Sequence, residues 1–139
     1  MKLPHATDVP TIVTSALWVL TARVVLARGG FPGAIKRYSL TPADDTGPPA
    51  PLSPAVRRAA RVSARVVSMR VLGATCLPRS IALARVVARH GDRADIVLGV
   101  TQVDGFAAHA WVEAGGQRID PSGYPDGAYK PAGRFTLPR

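Results

Sequence analysis

Residues 73–121 read GATCLPRSIALARVVARHGDRADIVLGVTQVDGFAAHAWVEAGGQRIDP, and the hydrophobic spacing changes halfway along this stretch. Apolar residues between Cys76 and Gly91 recur at the three- and four-residue intervals of a helix, and a glycine commonly follows a helix end. From Asp95 to Val103 and from Phe106 to Ala114, β-branched and alternating residues predict two strands. The stretch therefore predicts an α+β fold in which helices precede an antiparallel β-meander.

Two glycine-containing pairs predict the hairpin turns of this meander. Asp104–Gly105 and Gly115–Gly116 each have the composition of a two-residue turn, and QRID (117–120) supplies a third strand. If Gly115–Gly116 forms such a turn, alternation places five side chains on one sheet face, with Asp120 as the diagonal neighbour of His109. These residues are His109, Trp111, Glu113, Arg118 and Asp120. The other face is small and apolar and suits a helix, which leaves open how the helix that begins at Cys76 reaches His109.

The N-terminal half predicts two further helices within a single domain of residues 1–139. The first runs from Pro10 to Arg28 and ends at Gly29–Gly30. Its apolar stripe is expected to face the core, with a membrane-surface helix as the lesser alternative. That stripe comprises Val13, Leu17, Leu20, Val24 and Ala27. Residues 39–54 are rich in Pro, Gly, Ser, Thr and Asp and predict a flexible loop. Within the domain, 1–72 form the helical part, 73–121 the core that holds the cysteine and the predicted strands, and 122–139 a Gly- and Pro-rich tail.

The second helix is expected to begin with Ser53 as its cap and Pro54 at its first position. Arg57, Arg61 and Arg65 share one of its faces, opposite an apolar face. A solvated basic face is the usual interpretation of such a run. An anion-binding face that meets a substrate or a partner is the sharper alternative.

Composition limits the classes of protein to which the chain can belong. Its 139 residues suit one domain, and its 18 basic and nine acidic residues give a net charge of +9. This charge suits an acidic partner, either nucleic acid, anionic lipid or an acidic polypeptide, although a GC-rich genome also favours arginine. One cysteine excludes an intrachain disulfide and fits a reducing compartment. The charged N-terminal segment argues against a membrane span and a signal peptide, so we expect a cytoplasmic protein.

The lone cysteine is a candidate nucleophile because of its position. Most single cysteines are small buried hydrophobes, but Cys76 falls in the first turn of a helix, where backbone N–H groups and the helix dipole favour a thiolate. Its base would be His109, because His5 lies in a terminal segment and His90 ends the same helix, about 20 Å away at 1.5 Å per residue. A structural role is the default for a histidine in mid-strand.

The order of Cys76, His109 and Asp120 resembles the transglutaminase-like cysteine protease fold. More narrowly, TCLPRSIALARVVARHG, ADIVLGV and FAAHAWVEAGGQRID are similar to the leader peptidase of lasso-peptide biosynthesis, the free-standing peptidase half of the split B protein. The resemblance implies that Cys76 attacks the peptide bond, that His109 transfers the proton, and that Asp120 orients His109. Trp111 would line the substrate groove or simply pack beside it.

The same resemblance implies three partners and no cofactor or metal. The substrate would be a lasso precursor peptide cut between leader and core, a separate leader-recognition protein would deliver it, and a cyclase would close the macrolactam. The cysteine, histidine and aspartate do not have a recognisable zinc spacing. Two rival functions remain: another thiol-dependent acyl transfer, such as transglutamination or deamidation, and a non-enzymatic nucleic-acid binder. Against nucleic acid, aromatics are few and no binding motif occurs.

Overall fold

The computed structural model describes residues 4–47 and 50–139, which contain three α-helices and five β-strands. The strands form one antiparallel sheet in the order β1-β5-β2-β3-β4, so the predicted α+β class is confirmed. The helices are α1 (Val9–Tyr38), α2 (Pro54–Val67) and α3 (Cys76–Arg89). The strands are β1 (Thr41–Pro42), β2 (Ala94–Thr101), β3 (Ala107–Ala114), β4 (Gln117–Ile119) and β5 (Lys130–Leu137).

Local sequence signals set most of the helix ends. The Ser53 hydroxyl accepts a hydrogen bond from the backbone N–H of Val56 at 3.3 Å, and Pro54 is the first residue of α2, as predicted. The predicted break at Gly29–Gly30 is present. Gly30 has the non-helical values φ 61° and ψ −162°, so the first helical segment ends there, and a second helical segment continues from this kink to Tyr38 within α1. Glycine accepts this positive φ without strain, which explains why the break falls at this pair. The sequence did not predict the second segment.

One predicted hairpin turn was right and the other was wrong. Gly115 and Gly116 both have positive φ, and they pair Ala114 with Gln117, as a two-residue turn requires. Between β2 and β3 the last pair is Thr101 with Ala107, so the connection is the five-residue loop 102–106. This register is shifted by one residue from that of a two-residue Asp104–Gly105 turn, and it places His109 opposite Gly99.

The sequence predicted residues 122–139 as a Gly- and Pro-rich tail and did not predict the strand that this tail contains. Residues 130–137 form β5, which lies inside the sheet between β1 and β2. Phe135 pairs with Ile96 of β2 and packs edge-on against Phe31 of α1, with ring centroids 5.0 Å apart. The predicted flexible loop 39–54 likewise contributes β1, which pairs with β5. Burial of Phe135 offsets the poor strand propensity of Pro131 and Gly133.

Helix α3 lies at the centre of the fold, because most of its residues are buried. One side of α3 packs against α1 and α2, and the other packs against β2 and β3.

The α1 and α2 helices run parallel to each other: Arg58 ion-pairs with Asp8 at 2.9 Å, and the Ser15 and Ser63 hydroxyls are 2.9 Å apart. Their shared inner surface contains Val19.

The prediction that the apolar stripe of α1 faces the core was wrong. Its large members are 41–58% exposed, whereas the buried face of α1 carries Ser15, Val19 and Ala22. Small side chains on that face let α1 approach α2 closely, which explains why the less apolar side is buried. An 18-residue window of α1 has a mean hydropathy of 1.7, so by length and composition the helix could cross a membrane. Helices of soluble proteins pass the same test, so this is weak evidence.

Candidate active site

The structure brings His109 and Asp120 into direct contact. Nε2 of His109 lies 2.8 Å from Oδ2 of Asp120, and both side chains are about 95% buried. His109 belongs to β3, and Asp120 follows the last residue of β4. The Gly115–Gly116 turn fixes the register that makes the two residues diagonal neighbours, as the sequence predicted.

Two further groups hold the Asp120 carboxylate. Nη2 of Arg118 donates to Oδ2 at 2.9 Å, and the backbone N–H of Ser122 donates to Oδ1 at 2.9 Å. Burial raises the pKa of Asp120, but hydrogen bonds from Arg118, His109 and Ser122 outweigh burial, and the net pKa lies below the usual value of 3.8. Asp120 is therefore ionised at neutral pH. A carboxylate can only accept, so Nε2 of His109 carries the proton and Nδ1 is the free nitrogen.

Aromatic rings enclose His109. Its ring centroid lies 4.8 Å from that of Tyr124, 5.0 Å from that of Tyr129 and 6.1 Å from that of Trp111. The Arg118 guanidinium stacks 4.1 Å from the Trp111 ring centroid. Trp111 is 1% exposed, so its ring packs beside the His109–Asp120 pair inside the protein, and only the edge of the ring can border a groove. Tyr124, which is 47% exposed, is the ring that meets solvent.

Gly99 makes room for this aromatic cluster. It pairs with His109 across β2 and β3. A Cβ atom at position 99 would lie 2.4 Å from Cζ3 of Trp111 and 2.9 Å from Cβ of Tyr129, closer than packed carbon atoms approach. Glycine is required here by close packing, because its φ is an ordinary strand value.

Cys76 is the first residue of α3 and is partly buried. In the part of the chain that the structure describes, residues 4–47 and 50–139, no hydrogen bond joins the Cys76 thiol to His109. Burial is the largest of the causes that raise the pKa of the Tyr129 phenol. A hydrogen bond with Tyr124 and the charges of Tyr124, Cys76 and Asp120 raise this pKa further. Cys76 and Asp120 therefore both lie near the Tyr129 phenol, whose ring centroid is 5.0 Å from that of His109.

Helix α3 packs on the sheet face opposite to the one that bears His109, and the short edge strand β4 leaves a route between the two faces. β4 pairs only with Val112, Glu113 and Ala114 of β3, so the edge of β3 beside His109 has no strand partner there. After Asp120 the chain turns towards the end of α2, where the Ser68 hydroxyl donates to the carbonyl of Pro121 at 3.3 Å. The N-terminus of α3 can therefore meet the His109–Asp120 pair around this open edge.

An ion-pair network supports the sheet behind the site. Asp95 is 2% exposed and accepts hydrogen bonds from Arg93, Arg134 and Thr136. Arg134 also donates to Glu113 at 2.6 Å. Glu113 and Arg118 are opposite each other in register, but Arg118 binds Asp120 and Glu113 binds Arg134 instead.

The tentative substrate-binding residues lie apart from one another. Trp111 lines a cavity of about 580 Å³ together with Arg118, Tyr129 and other residues on the sheet face that bears His109. Arg57, Arg61 and Arg65 are exposed on the outer face of α2. Within the described residues, no hydrogen bond or ion pair joins these three arginines to the cysteine, histidine or aspartate.

The sequence alone did not identify the roles of Arg118, Tyr129 and Gly99 at this site. The Arg118 contact with Asp120 has a signal in the strand alternation that places both on one face, whereas Tyr129 and Gly99 have no local motif. Among the residues that the structure describes, no group of three or more His, Cys, Asp and Glu could hold a metal ion.

A comparison with protein-family models places the chain in a known group. The model described as "Transglutaminase-like superfamily" matches residues 16–134, which is most of the chain and includes the cysteine, the histidine and the aspartate. Neither a search of curated proteins nor a search of solved structures finds a match.

Proposed function

The chain belongs to the transglutaminase-like superfamily, whose members are generally cysteine-dependent enzymes, and on this premise we propose that it is a cysteine endopeptidase. Cys76 would be the nucleophile, His109 the general base and acid, and Asp120 the residue that orients His109. The observation that carries the proposal is the buried 2.8 Å contact between Nε2 of His109 and Asp120, which leaves Nδ1 available to a thiol.

In the first half of the reaction Cys76 forms an acyl-enzyme. Nδ1 of His109 takes the proton of the thiol, and the sulfur attacks the carbonyl carbon of the scissile peptide bond. The C–N bond then breaks, and His109 returns the proton to the leaving amine. Asp120 stabilises the imidazolium formed in between, and its lowered pKa keeps it ionised for this role.

In the second half, water is deprotonated by His109 and attacks the thioester, which releases the carboxylate product and restores the thiol. The backbone N–H of Cys76, at the N-terminus of α3, is the donor best positioned for the oxyanion of both tetrahedral intermediates. Closure of the Cys76–His109 distance belongs to the substrate complex, because catalytic hydrogen bonds are often long in a free enzyme.

The substrate we propose is a ribosomally made lasso precursor peptide, cut at the junction of leader and core. A separate leader-recognition protein would deliver it, and a cyclase would close the macrolactam on the trimmed core. Support comes from the similarity of the segments around Cys76 and His109 to lasso leader peptidases. The proposed location is the cytoplasm, where the precursor would be made.

Mass spectrometry of a lasso precursor peptide incubated with the protein tests this function. We expect one cut at the leader–core junction, stimulated by the recognition protein and abolished in Cys76→Ala. Ser80→Ala is a matched control, because Ser80 is a buried residue of the same helix whose hydroxyl has no hydrogen-bond partner.

Two outcomes would overturn the peptidase. A cut that persists in Cys76→Ala would exclude Cys76 as the nucleophile. Incorporation of a primary amine into a glutamine-containing peptide, or release of ammonia from it, with no cut in the precursor, would establish the rival acyl transfer on the same residues.

A further inference from the structure

The oxyanion of the acyl-transfer reaction has one donor assigned so far, the backbone N–H of Cys76 at the start of α3. Oxyanion holes combine backbone N–H groups with side-chain donors, and donors aimed at the developing charge are usually the largest single contribution to catalysis. A second donor has to lie beside Cys76, keep its proton at neutral pH and border the space that the substrate enters.

The Tyr129 side chain lies among the proposed catalytic residues. Its ring centroid is 5.0 Å from that of His109, with an angle of 39° between the two ring planes. Burial is the largest cause of the raised pKa of its hydroxyl, and the charges of Cys76 and Asp120 add to it. The phenol therefore lies near the nucleophile and also packs against the base.

The Tyr129 hydroxyl keeps its proton at neutral pH. Burial, the neighbouring phenol of Tyr124 and the charges of Cys76 and Asp120 all raise its pKa above the usual value of 10.0. A phenolate would be repelled by the thiolate and by the carboxylate, so the tyrosine stays neutral while both of those groups are charged. A neutral phenol has one O–H to donate.

Packing fixes the position of the Tyr129 ring. Its centroid lies 5.2 Å from that of Tyr124 in an edge-on contact, and a Cβ atom at position 99 would lie 2.9 Å from Cβ of Tyr129. Tyr129 also directly precedes Lys130, the first residue of β5, and it lines the cavity of about 580 Å³. A donor that is held in place needs no reorganisation when charge develops on the substrate.

We propose that the Tyr129 hydroxyl is a second donor of the oxyanion hole, which makes Tyr129 a catalytic residue. This inference rests on the proposed function, because it assigns a step of that reaction. When the Cys76 thiolate attacks the carbonyl carbon, one electron pair of the C=O bond moves onto the oxygen. Tyr129 donates a hydrogen bond to that oxygen and keeps its proton, and when the bond to the leaving group breaks the carbonyl forms again.

Two other roles for Tyr129 predict different results when the hydroxyl is removed. If only the ring matters, because it holds His109 in place, phenylalanine keeps the ring and no reaction of Cys76 slows. If the hydroxyl binds the thiolate itself, its removal changes every reaction of the thiol. An oxyanion donor affects only the reactions that pass through a tetrahedral intermediate.

Two small reagents separate these roles, because the chain has a single cysteine and both reagents report on it. Acylation of Cys76 by p-nitrophenyl acetate passes through an oxyanion, whereas alkylation by iodoacetamide forms none. We expect Tyr129→Phe to slow the acylation at least about tenfold, towards the roughly 10²–10³-fold loss typical of a side-chain oxyanion donor. The rate of alkylation and its pH dependence should not change.

The other two of the three tyrosines are matched controls for the loss of one phenolic hydroxyl. Tyr38 is 6% exposed at the end of α1, and among the described residues its hydroxyl has no hydrogen-bond partner, so Tyr38→Phe should leave both rates unchanged. Tyr124 packs against His109 but is 47% exposed, and Tyr124→Phe should slow the acylation much less than Tyr129→Phe. Cys76→Ala gives the background rate of ester hydrolysis.

The inference is overturned if Tyr129→Phe does not slow the acylation, or if it slows the alkylation by the same factor. An equal loss in Tyr124→Phe would also overturn it. Failure of the proposed function has a different signature, because it would appear in the protein without substitutions as an acylation rate no faster than that of Cys76→Ala. Fast acylation that is equal in this protein and in Tyr129→Phe would leave the proposed peptidase in place and remove only the role of the tyrosine.

Discussion

Replacing Gly99 with alanine should destabilise the protein and disturb the site. The new Cβ would lie 2.4 and 2.5 Å from Cζ3 and Cη2 of Trp111, whose ring is 1% exposed and cannot turn into solvent. Overpacking a core costs about 1–3 kcal/mol. Alanine otherwise gains about 0.5–1 kcal/mol over glycine in a strand. Because these contacts are shorter than 3 Å, we take the upper end and expect a net loss of about 2 kcal/mol.

Urea unfolding, followed by tryptophan fluorescence, measures this loss, and cleavage rates report on the site. Gly133→Ala is the matched control: this β5 glycine also has an ordinary φ, and its Cβ would meet only Cε2 of Phe135 at 3.6 Å. We expect its stability to stay level or rise. Phenylalanine lacks the two clashing atoms, so Trp111→Phe should cost less in the Gly99→Ala background than alone, with a coupling of about 1 kcal/mol or more. Equal effects of Gly99→Ala and Gly133→Ala, or no coupling, would refute the close-packing explanation.

Three further predictions concern stability and are checked by urea unfolding. Asp95→Asn should lower the free energy of unfolding by about 3 kcal/mol, because it breaks buried ion pairs with two arginines; a neutral effect would contradict that role. Ser15→Ala should cost about 1–3 kcal/mol by leaving the Ser63 hydroxyl without a partner, and adding Ser63→Ala should recover part of the loss. Asp120 has a lowered pKa, so its stabilisation is present above the unfolded value of 3.8 and is lost as the pH falls further; Asp120→Asn should flatten the pH dependence of stability in that range, and equal acid sensitivity of both proteins would argue against it.

The contact between His109 and Asp120 could be predicted from sequence because it depends on local geometry. A two-residue glycine turn fixes the register, and alternation along the strands then decides which side chains share a face. The Asp104–Gly105 turn failed because the same dipeptide also fits a longer loop, and only the pairing of the whole strand selects between them. Arg118 shares its sheet face with the carboxylates of Glu113 and Asp120. It binds Asp120, because Arg134 of β5 binds Glu113, and that contact is distant in sequence.

The buried side of α1 could not be predicted from its own residues. Periodicity identifies an apolar face, but burial depends on which face the neighbouring helices can approach. Here Ser15 and Ala22 allow close contact, and the bonded hydroxyls of Ser15 and Ser63 remove the cost of burying a polar group. Strand β5 could not be predicted for a similar reason, because Pro131 and Gly133 weaken its strand pattern and contacts distant in sequence stabilise it.

The distribution of charge connects the site with the outer helices. With α1 and α2 set aside, ten basic and nine acidic residues remain, so the rest of the chain is close to neutral. Its ion pairs hold the sheet and the Asp120 carboxylate. The net charge of +9 therefore comes mainly from α1 and α2, which contain none of Cys76, His109 and Asp120, and long-range attraction to an acidic partner would act mainly through these helices. Under the proposed function, the active site would keep balanced charges while an acidic macromolecule is attracted elsewhere, because the excess positive charge and the proposed catalytic residues lie on different elements.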